Sequence, residues 1–491
     1  VQVMSAYFEE AKAEEAAFKK MKEDLVAEFA QQKEEAEETP TGLKIFTLVN
    51  GEGEQPAEGQ QVLVNYAGYL PSGELFDSNI QEIAEKFNQL NPARRDQGGY
   101  TPFPMEYGPE ARLIPGFKEG LQTMKVGDKV RLFIPSHLGY GAQTSIALAL
   151  PLQIILVKWI GSYPNFVEEY YSNGLYLLIS KTLRLLLGWI PFSFGDLLYT
   201  VLVFLAIRYM YKHWKSIKTK PLFFLKDIVV VLSIAYFAFH LLWGMNYYRQ
   251  PITWKLGIEK EYTLEELIDF TQYLAEKTNS YQMRITGDSM SAVEVPYKRG
   301  EIFQKTEKGY IKLQKIYPDF EYRNRSLKSS IYSIPLTYMG YGGYLNPFTN
   351  EAQVNGIMPF FRLPAVSGHE VGHQLGYSAE DATNFIGFLV TSNSDDVYFK
   401  YSAYNHALGY CLADLARKDE EKSKEIIAQL NPGVKKNYQE LRSFWESYQN
   451  PMEPVFKSIF NTFLKINNQK DGILSYPSVV GLMINHHKKS S

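Results

Sequence analysis

Val366-Ser367-Gly368-His369-Glu370-Val371-Gly372-His373-Gln374-Leu375 is the stretch from which the C-terminal half of the chain is read. Two histidines four apart on a helix share one face, so both imidazoles can reach one metal ion. Glu370 then stands beside the water held there, as a general base. Val371 and Gly372 between the histidines are uncharged, as such a helix requires, and Gly376-Tyr377 can end it and turn the chain. A second helix starting at Glu380-Asp381-Ala382-Thr383-Asn384-Phe385 presents Glu380 as a third ligand, with Asp381 as the alternative. Asn384, one turn on, can hydrogen-bond a ligand and orient it. Three protein ligands plus water is the open zinc site that does chemistry, so zinc is the expected cofactor.

The chain around this motif has 491 residues, enough for two to four domains at roughly 100–200 residues each. Hydrophobic residues make up 45% and charged residues 21%, which excludes a disordered or fibrous chain. A formal net charge of −3 argues against a general nucleic-acid binder. Cys411 is the only cysteine, which excludes an intrachain disulfide and a cysteine-based zinc site.

Upstream of the motif the chain turns apolar. Segments at about 146–163, 195–211 and 228–246 read as three membrane spans, and about 175–194, which carries Lys181, Arg184, Gly188 and Pro191, as an interfacial helix. Arg208, Lys212, Lys215, Lys218, Lys220 and Lys226 place the 208–226 loop in the cytoplasm by the positive-inside rule. In a cytoplasmic membrane crossed three times, the region after Arg249 is then extracytoplasmic and the N-terminal part inside. His240 lies within the third span, where packing against neighbouring helices is its expected role. Residues 250–491 read as mainly helical. Thr263 is the N-cap of one helix, with Glu266 at the capping-box position. Weaker site candidates are an edge strand at 351–358 that would pair with an extended peptide, and His406, Tyr401 and Tyr404 as oxyanion donors. His486-His487 reads as a solvated tail.

At the N-terminus, residues 1–40 are rich in Glu, Lys and Ala. Phe18, Met21, Leu25 and Phe29 form one apolar stripe at helical spacing. A solvated spacer is the first reading and dimerisation through this helix the second. Residues 41–143 read as a compact α+β domain, with strands at Val62-Leu63-Val64-Asn65-Tyr66 and Lys129-Val130-Arg131-Leu132-Phe133-Ile134.

Five strings follow one another in this region: Val64-Asn65-Tyr66-Ala67-Gly68, Gly73-Glu74-Leu75-Phe76-Asp77-Ser78, Leu113-Ile114-Pro115-Gly116-Phe117-Lys118-Glu119-Gly120-Leu121, Met124-Lys125-Val126-Gly127-Asp128 and Leu138-Gly139-Tyr140-Gly141. In this order they resemble the FKBP-type peptidyl-prolyl isomerase family. The resemblance implies a half-barrel that binds proline-containing peptides and needs no cofactor. It places the pocket on Tyr66, Phe76, Asp77, Phe103, Met105, Leu113, Ile114, Phe117 and Tyr140, with the Ile114 backbone N–H offered to substrate and Tyr140 and Asp77 at the rim. One departure stands out. Where the family's last strand completes the sheet, this chain continues Thr144-Ser145-Ile146-Ala147-Leu148 into an apolar segment. The sheet is therefore expected to lack that strand, with ladder groups unpaired and an open core. The insertion at 79–100 lies at the pocket edge.

Glu380-x-x-x-Asn384 after the histidine helix resembles the third-ligand helix of gluzincin metallopeptidases. Residues 145–491 as a whole resemble a family of uncharacterised bacterial three-span membrane proteins. The strings that carry this are Leu242-Trp243-Gly244-Met245-Asn246-Tyr247-Tyr248-Arg249, Glu351-Ala352-Gln353-Val354-Asn355 and Tyr401-Ser402-Ala403-Tyr404, beside the motif itself. The expected architecture is thus multi-domain: a helix at 1–40, an FKBP-like domain at 41–143, a helical membrane region at 144–249 and a mainly α, zincin-like domain at 250–491. The expected function is a membrane-anchored prolyl isomerase joined to a zinc metallopeptidase. The alternative is a non-catalytic peptide-binding module on a structural membrane protein. The expected partners are proline-containing peptides and the lipid bilayer.

Overall fold

The computed structural model describes residues 2–108, 111, 113–139, 142–219, 221–469 and 478–490. The chain divides into two units, Val1–Ala147 and Leu148–Ser491.

The first unit opens with helix α1 (Gln2–Glu35). Its half-buried stripe is used within the unit: Phe18 meets Phe87 edge-on at 6.1 Å, and Phe29 meets Tyr69 at 5.4 Å. Arg131 lies over Phe29 and pairs with Glu28 at 2.9 Å. The helix is therefore packed onto the domain rather than a solvated spacer. Seven short strands follow: β1 (Glu37–Glu38), β2 (Lys44–Val49), β3 (Gln61–Val64), β4 (Ala67–Tyr69), β5 (Leu75–Ser78), β6 (Phe103–Glu106) and β7 (Lys129–Phe133), with helix α2 (Pro115–Gln122) between the last two. They make three separate antiparallel sheets, ordered β1-β2-β7, β3-β6 and β4-β5. Among the described residues no strand joins them. Where the resemblance calls for a closing strand, the backbone is helical (α3, Ala142–Gly161). The expected opening follows: Leu63 in β3 is 72% exposed, and the largest buried cluster is only Met105, Tyr107 and Leu121, with Leu43, Leu75 and Phe87 buried apart from it. The 79–100 insertion folds into two short helices, Gln81–Lys86 and Pro92–Asp96.

The second unit contains two helices long and apolar enough to cross a membrane, by length and composition. They are α5 (Phe194–Thr219) and α6 (Pro221–Leu242), whose apolar parts are Phe194–Trp214 and Phe224–Leu242. The first of the three expected spans falls on α3, whose apolar part, among residues with described side chains, is Ala149–Gly161 and which carries Pro151 within it. The basic 208–226 stretch is not the loop expected: 208–219 continue α5 and 221–226 open α6, with Lys220 outside the described residues. His240 is buried in α6, its Nδ1 within 3.0 Å of the Tyr236 carbonyl, so it serves packing.

Helix α4 (Tyr176–Leu187) takes the place of the expected interfacial helix. It buries Tyr176, Ser180 and Arg184, four apart, and turns Leu178, Leu185 and Leu186 outward. Its polar face is thus the inner one. Arg184 donates to the carbonyl of Gln374 at 3.3 Å and lies over the Tyr322 ring, and the Tyr176 hydroxyl donates to the same carbonyl at 2.8 Å.

Beyond α6 the unit is mainly helical around one large apolar core. Thr263 and Glu266 form the expected capping box, with bonds of 2.9 and 3.2 Å. The one sheet among its described residues has three strands: β8 (Leu327–Ser329), β9 (Gly343–Asn346) and β10 (Glu351–Val354), in the order β8-β10-β9. Strand β10 is therefore central and fully buried, and β9 forms an edge. This corrects the reading of 351–358 as an edge strand. The acidic side chain of β10 is retained in the core because it has partners. Glu351 pairs with Lys328 at 2.6 Å and accepts from the Phe194 and Gly195 N–H groups at the start of α5. His486 and His487 are packed rather than a free tail. His486 Nε2 lies 3.0 Å from the Tyr317 hydroxyl, and His487 lies against Tyr273.

Candidate functional site

The histidine motif lies on helix α7 (Leu363–Gln374), which packs across helix α8 (Glu380–Ser392). The crossing is close because small residues face each other. A Cβ on Gly368 would meet Gly387 at 3.1 Å, and one on Gly372 would meet Thr383 at 3.1 Å. Helix α7 ends through Gly376, whose φ of +84° suits glycine, with N–H bonds back to His373 and from Tyr377 to Gly372. That turn brings Glu380 to the histidines.

His369 Nε2 lies 3.4 Å from one Glu380 oxygen and His373 Nε2 3.8 Å from the other. The opposite ring nitrogens are engaged: His369 Nδ1 lies 2.9 Å from Asn384 Oδ1, and His373 Nδ1 lies 2.8 Å from the Tyr377 carbonyl. Each oxygen can only accept, so each Nδ1 carries a proton and each Nε2 offers its lone pair to the same spot. Ligand atoms of His369, Glu370 and His373 lie within 4.8 Å of one another. Burial holds both histidines neutral: His369 is lowered to about 3, helped by His373 beside it, and His373 to about 4. Glu370 is pushed well above the ordinary carboxyl range by burial and by the charge of Glu380. Its Oε2 is buried without a hydrogen-bond partner, and β9 approaches so closely that a Cβ on Gly343 would meet its Oε1.

This donor set fits zinc. Two imidazole nitrogens and a carboxylate converge, and an orphaned carboxylate oxygen stands beside them. A zinc ion bound there supplies Lewis acidity and lowers the pKa of a water. His369, His373 and Glu380 would hold it, with Asn384 and Tyr377 orienting the rings. Asp381, the alternative ligand, is turned away: its carboxylate pairs with Lys260 and accepts from Ser478. Of the oxyanion candidates, Tyr401 donates to Asn437 at 2.7 Å and Tyr404 stacks on Tyr281, so both are committed elsewhere. His406 feels His369 and Arg362 and is held well below its ordinary pKa, mainly by burial. Tyr377, Trp243 and Gly343 had no signal of their own. Trp243, whose Nε1 donates to the His373 carbonyl at 3.1 Å, stood only inside a matched string.

Two outcomes follow. Asn384→Ala frees the His369 ring and is expected to weaken zinc binding roughly 10–100-fold, measured by competition with a chromogenic chelator. Metal-free protein is expected to lose stability as pH falls from about 6.5 towards 4. The two histidines bind fewer protons folded than unfolded over that window, so stability rises with pH there. Each contributes at most about 1.4 kcal/mol per pH unit. Urea melts at pH 4.5, 5.5 and 6.5 read the slope, and a His369→Gln/His373→Gln variant should show a shallower one.

In the first unit, the Tyr66 hydroxyl donates to Asp77 at 2.6 Å, and Arg94 from the insertion donates to the other oxygen of Asp77 at 2.7 Å. Burial raises Asp77, but these two donors outweigh it and hold the carboxyl below its usual range. Tyr66 meets Phe117 edge-on at 6.4 Å, and both pack with Leu113 against Met105. Ile114 is the extended residue leading into α2. Phe76 and Phe103 are largely exposed at the open side of the domain. Tyr140 lies outside the described residues. Arg94 was missed because only the folded insertion brings it to Asp77.

A family model described as FKBP-type peptidyl-prolyl cis-trans isomerase matches residues 52–152, and one described as Protein of unknown function (DUF3810) matches residues 171–484. The N-terminal part is similar to the FKBP-type peptidyl-prolyl cis-trans isomerase FkpA of Aeromonas hydrophila, 33% identical over 149 residues, which is 30% of this chain and 47% of that protein. It is also similar to the FKBP-type 22 kDa peptidyl-prolyl cis-trans isomerase of Escherichia coli, 33% identical over 126 residues, 26% of this chain and 52% of that one. The chain thus spans about half the length of these two relatives. These matches identify an FKBP-type domain in the first unit.

Proposed function

The chain belongs to the DUF3810 family, whose function is unknown, and from that premise we propose a membrane-anchored zinc hydrolase of peptides that carries an FKBP-type prolyl isomerase domain. The hydrolase reading rests on one arrangement: both Nε2 atoms turn to Glu380 while Asn384 and Tyr377 hold both Nδ1 atoms. Glu370, buried and lacking a partner for Oε2, takes the proton of the attacking water and passes it to the leaving amine. Its raised proton affinity suits that exchange. Burial of the site keeps bulk water away from these groups. The basic stretch at 208–226, which closes α5 and opens α6, is cytoplasmic and the metal domain extracytoplasmic in this reading. Elemental mass spectrometry of full-length protein purified without chelators tests it. About one zinc per chain supports the centre and justifies a peptidase screen; no zinc defeats it.

The isomerase reading rests on the Tyr66–Asp77–Phe117 pocket. An X–Pro bond resists rotation by about 20 kcal/mol because the amide is conjugated. An apolar pocket that favours the twisted amide lowers that barrier. The divided sheet favours a second reading, in which the domain binds proline-containing peptides without turning them over. Phe117→Ala is expected to lower kcat/KM roughly 10–100-fold on a proline tetrapeptide followed by protease-coupled absorbance. A parent protein with peptide binding but no turnover would establish the second reading.

A further inference from the structure

The metal ligands are tied to the end of an apolar helix. Trp243 follows directly on α6, and its Nε1 holds the His373 carbonyl at 3.1 Å, with the two rings 6.3 Å apart. Tyr247, in the short 3-10 turn Gly244–Tyr248 that comes next, feels the charge of Glu380. So does Tyr341, at the approach to edge strand β9.

A second element joins these points. Helix α10 (Glu453–Ile466; the intervening α9 is Val397–Lys418) places Phe463 6.1 Å from both Phe239 of α6 and Tyr247, and Phe460 5.4 Å from Tyr341. Its inner face thus roofs the rim of the metal centre at the level of the last turn of α6. Its outer face carries Val455 and Ile459, with Ile459 62% exposed, and Met452 just before the helix is exposed as well. Helix α4 likewise turns apolar side chains outward, with Leu178 66% exposed, and Trp189 just beyond it is 78% exposed. Exposing side chains of this size to water costs about 1.5–3 kcal/mol each relative to burial. Both helices touch α6, α10 through Phe463 on Phe239 and α4 by direct packing, and the span windows of α5 and α6 are only 11% and 17% buried. Apolar side chains turned outward beside two such helices name the occupant as the lipid bilayer, met at the depth where interfacial helices lie.

We propose that the metal centre lies at the bilayer surface, roofed on the lipid side by α10, and that its substrates are polypeptide segments close to where a chain leaves the membrane. The substrate assignment rests on the hydrolase reading; the lipid contact does not.

The full chain with Cys411→Ser is spin-labelled at single cysteines replacing Ile459, Leu178, Phe204 or Lys424, in phosphatidylcholine–phosphatidylglycerol vesicles. Oxygen and a nickel chelate then compete to relax each label. Positions 459 and 178 are expected to favour oxygen several-fold, as 204 within α5 does, while 424 favours nickel. Nickel access at 459 and 178 equal to that at 424 overturns the proposal. Low access to both reagents also overturns it, by showing a protein cover. For the substrate, one casein segment is placed about 5 or about 30 residues from a model transmembrane helix in the same vesicles, and cuts are mapped by mass spectrometry with zinc-loaded protein. At least tenfold faster cleavage near the membrane is expected; equal or faster distal cleavage overturns the assignment. No cleavage of either defeats the hydrolase reading and the substrate assignment with it, while the label pattern still decides the lipid contact.

Discussion

Glu370→Gln is expected to keep about one zinc per chain and to lose peptide hydrolysis by roughly 10²–10⁴-fold, the usual worth of a positioned general base. The amide is nearly isosteric with the carboxylate, so it fits the space that β9 leaves beside Gly343. It cannot take up a proton. His373→Ala and Glu380→Ala should behave oppositely and lose the metal itself. Each removes one of the convergent donors and leaves the others buried without compensation. The weakening should exceed the roughly 10–100-fold expected of an orienting partner such as Asn384. Zinc content and cleavage rate, measured on the same preparations, separate the two classes. Zinc retained in His373→Ala would place the metal elsewhere.

Glu351→Ala is expected to destabilise the second unit by about 3–5 kcal/mol, the range for breaking a buried ion pair from one side. Lys328 and Glu351 have side chains only 4% and 0% exposed, so the ammonium left behind cannot reach water. The same change removes the acceptor for the first N–H groups of α5. Lys328 also donates to the Leu187 carbonyl at the end of α4. The pair therefore ties both ends of the 188–193 turn to the sheet. Thermal unfolding in detergent micelles measures the loss. A double variant, Lys328→Met with Glu351→Gln, should recover part of it, since it strands no charge.

Features written in short-range periodicity were legible. The helix carrying His369 and His373, its stop at Gly376, the capping box at Thr263 and the Glu380–Asn384 turn all depend on residues within a few positions. The missing closing strand was legible as well, because an apolar helix stands in its place. What depends on distant pairing was not. Strand β10 looks like an edge until the parallel partner β8 and antiparallel partner β9 are both known. Arg94 reaches Asp77 only once the insertion has folded. The stripe on α1 has no label saying whether water, a second copy or its own domain covers it.

The inward polar face of α4 has a consequence in time. Tyr176 and Arg184 find their acceptor at Gln374, 198 and 190 residues later in the chain. At a synthesis rate of about 5–20 residues per second, roughly 10–40 s pass between making the arginine and making its partner. During most of that interval the guanidinium lacks its protein acceptors, since Asn350 also comes 166 residues later, so α4 waits undocked while the α5–α6 hairpin is already being made. Docking of α4 is then a late step of assembly, and contacts of such sequence separation are slow to form.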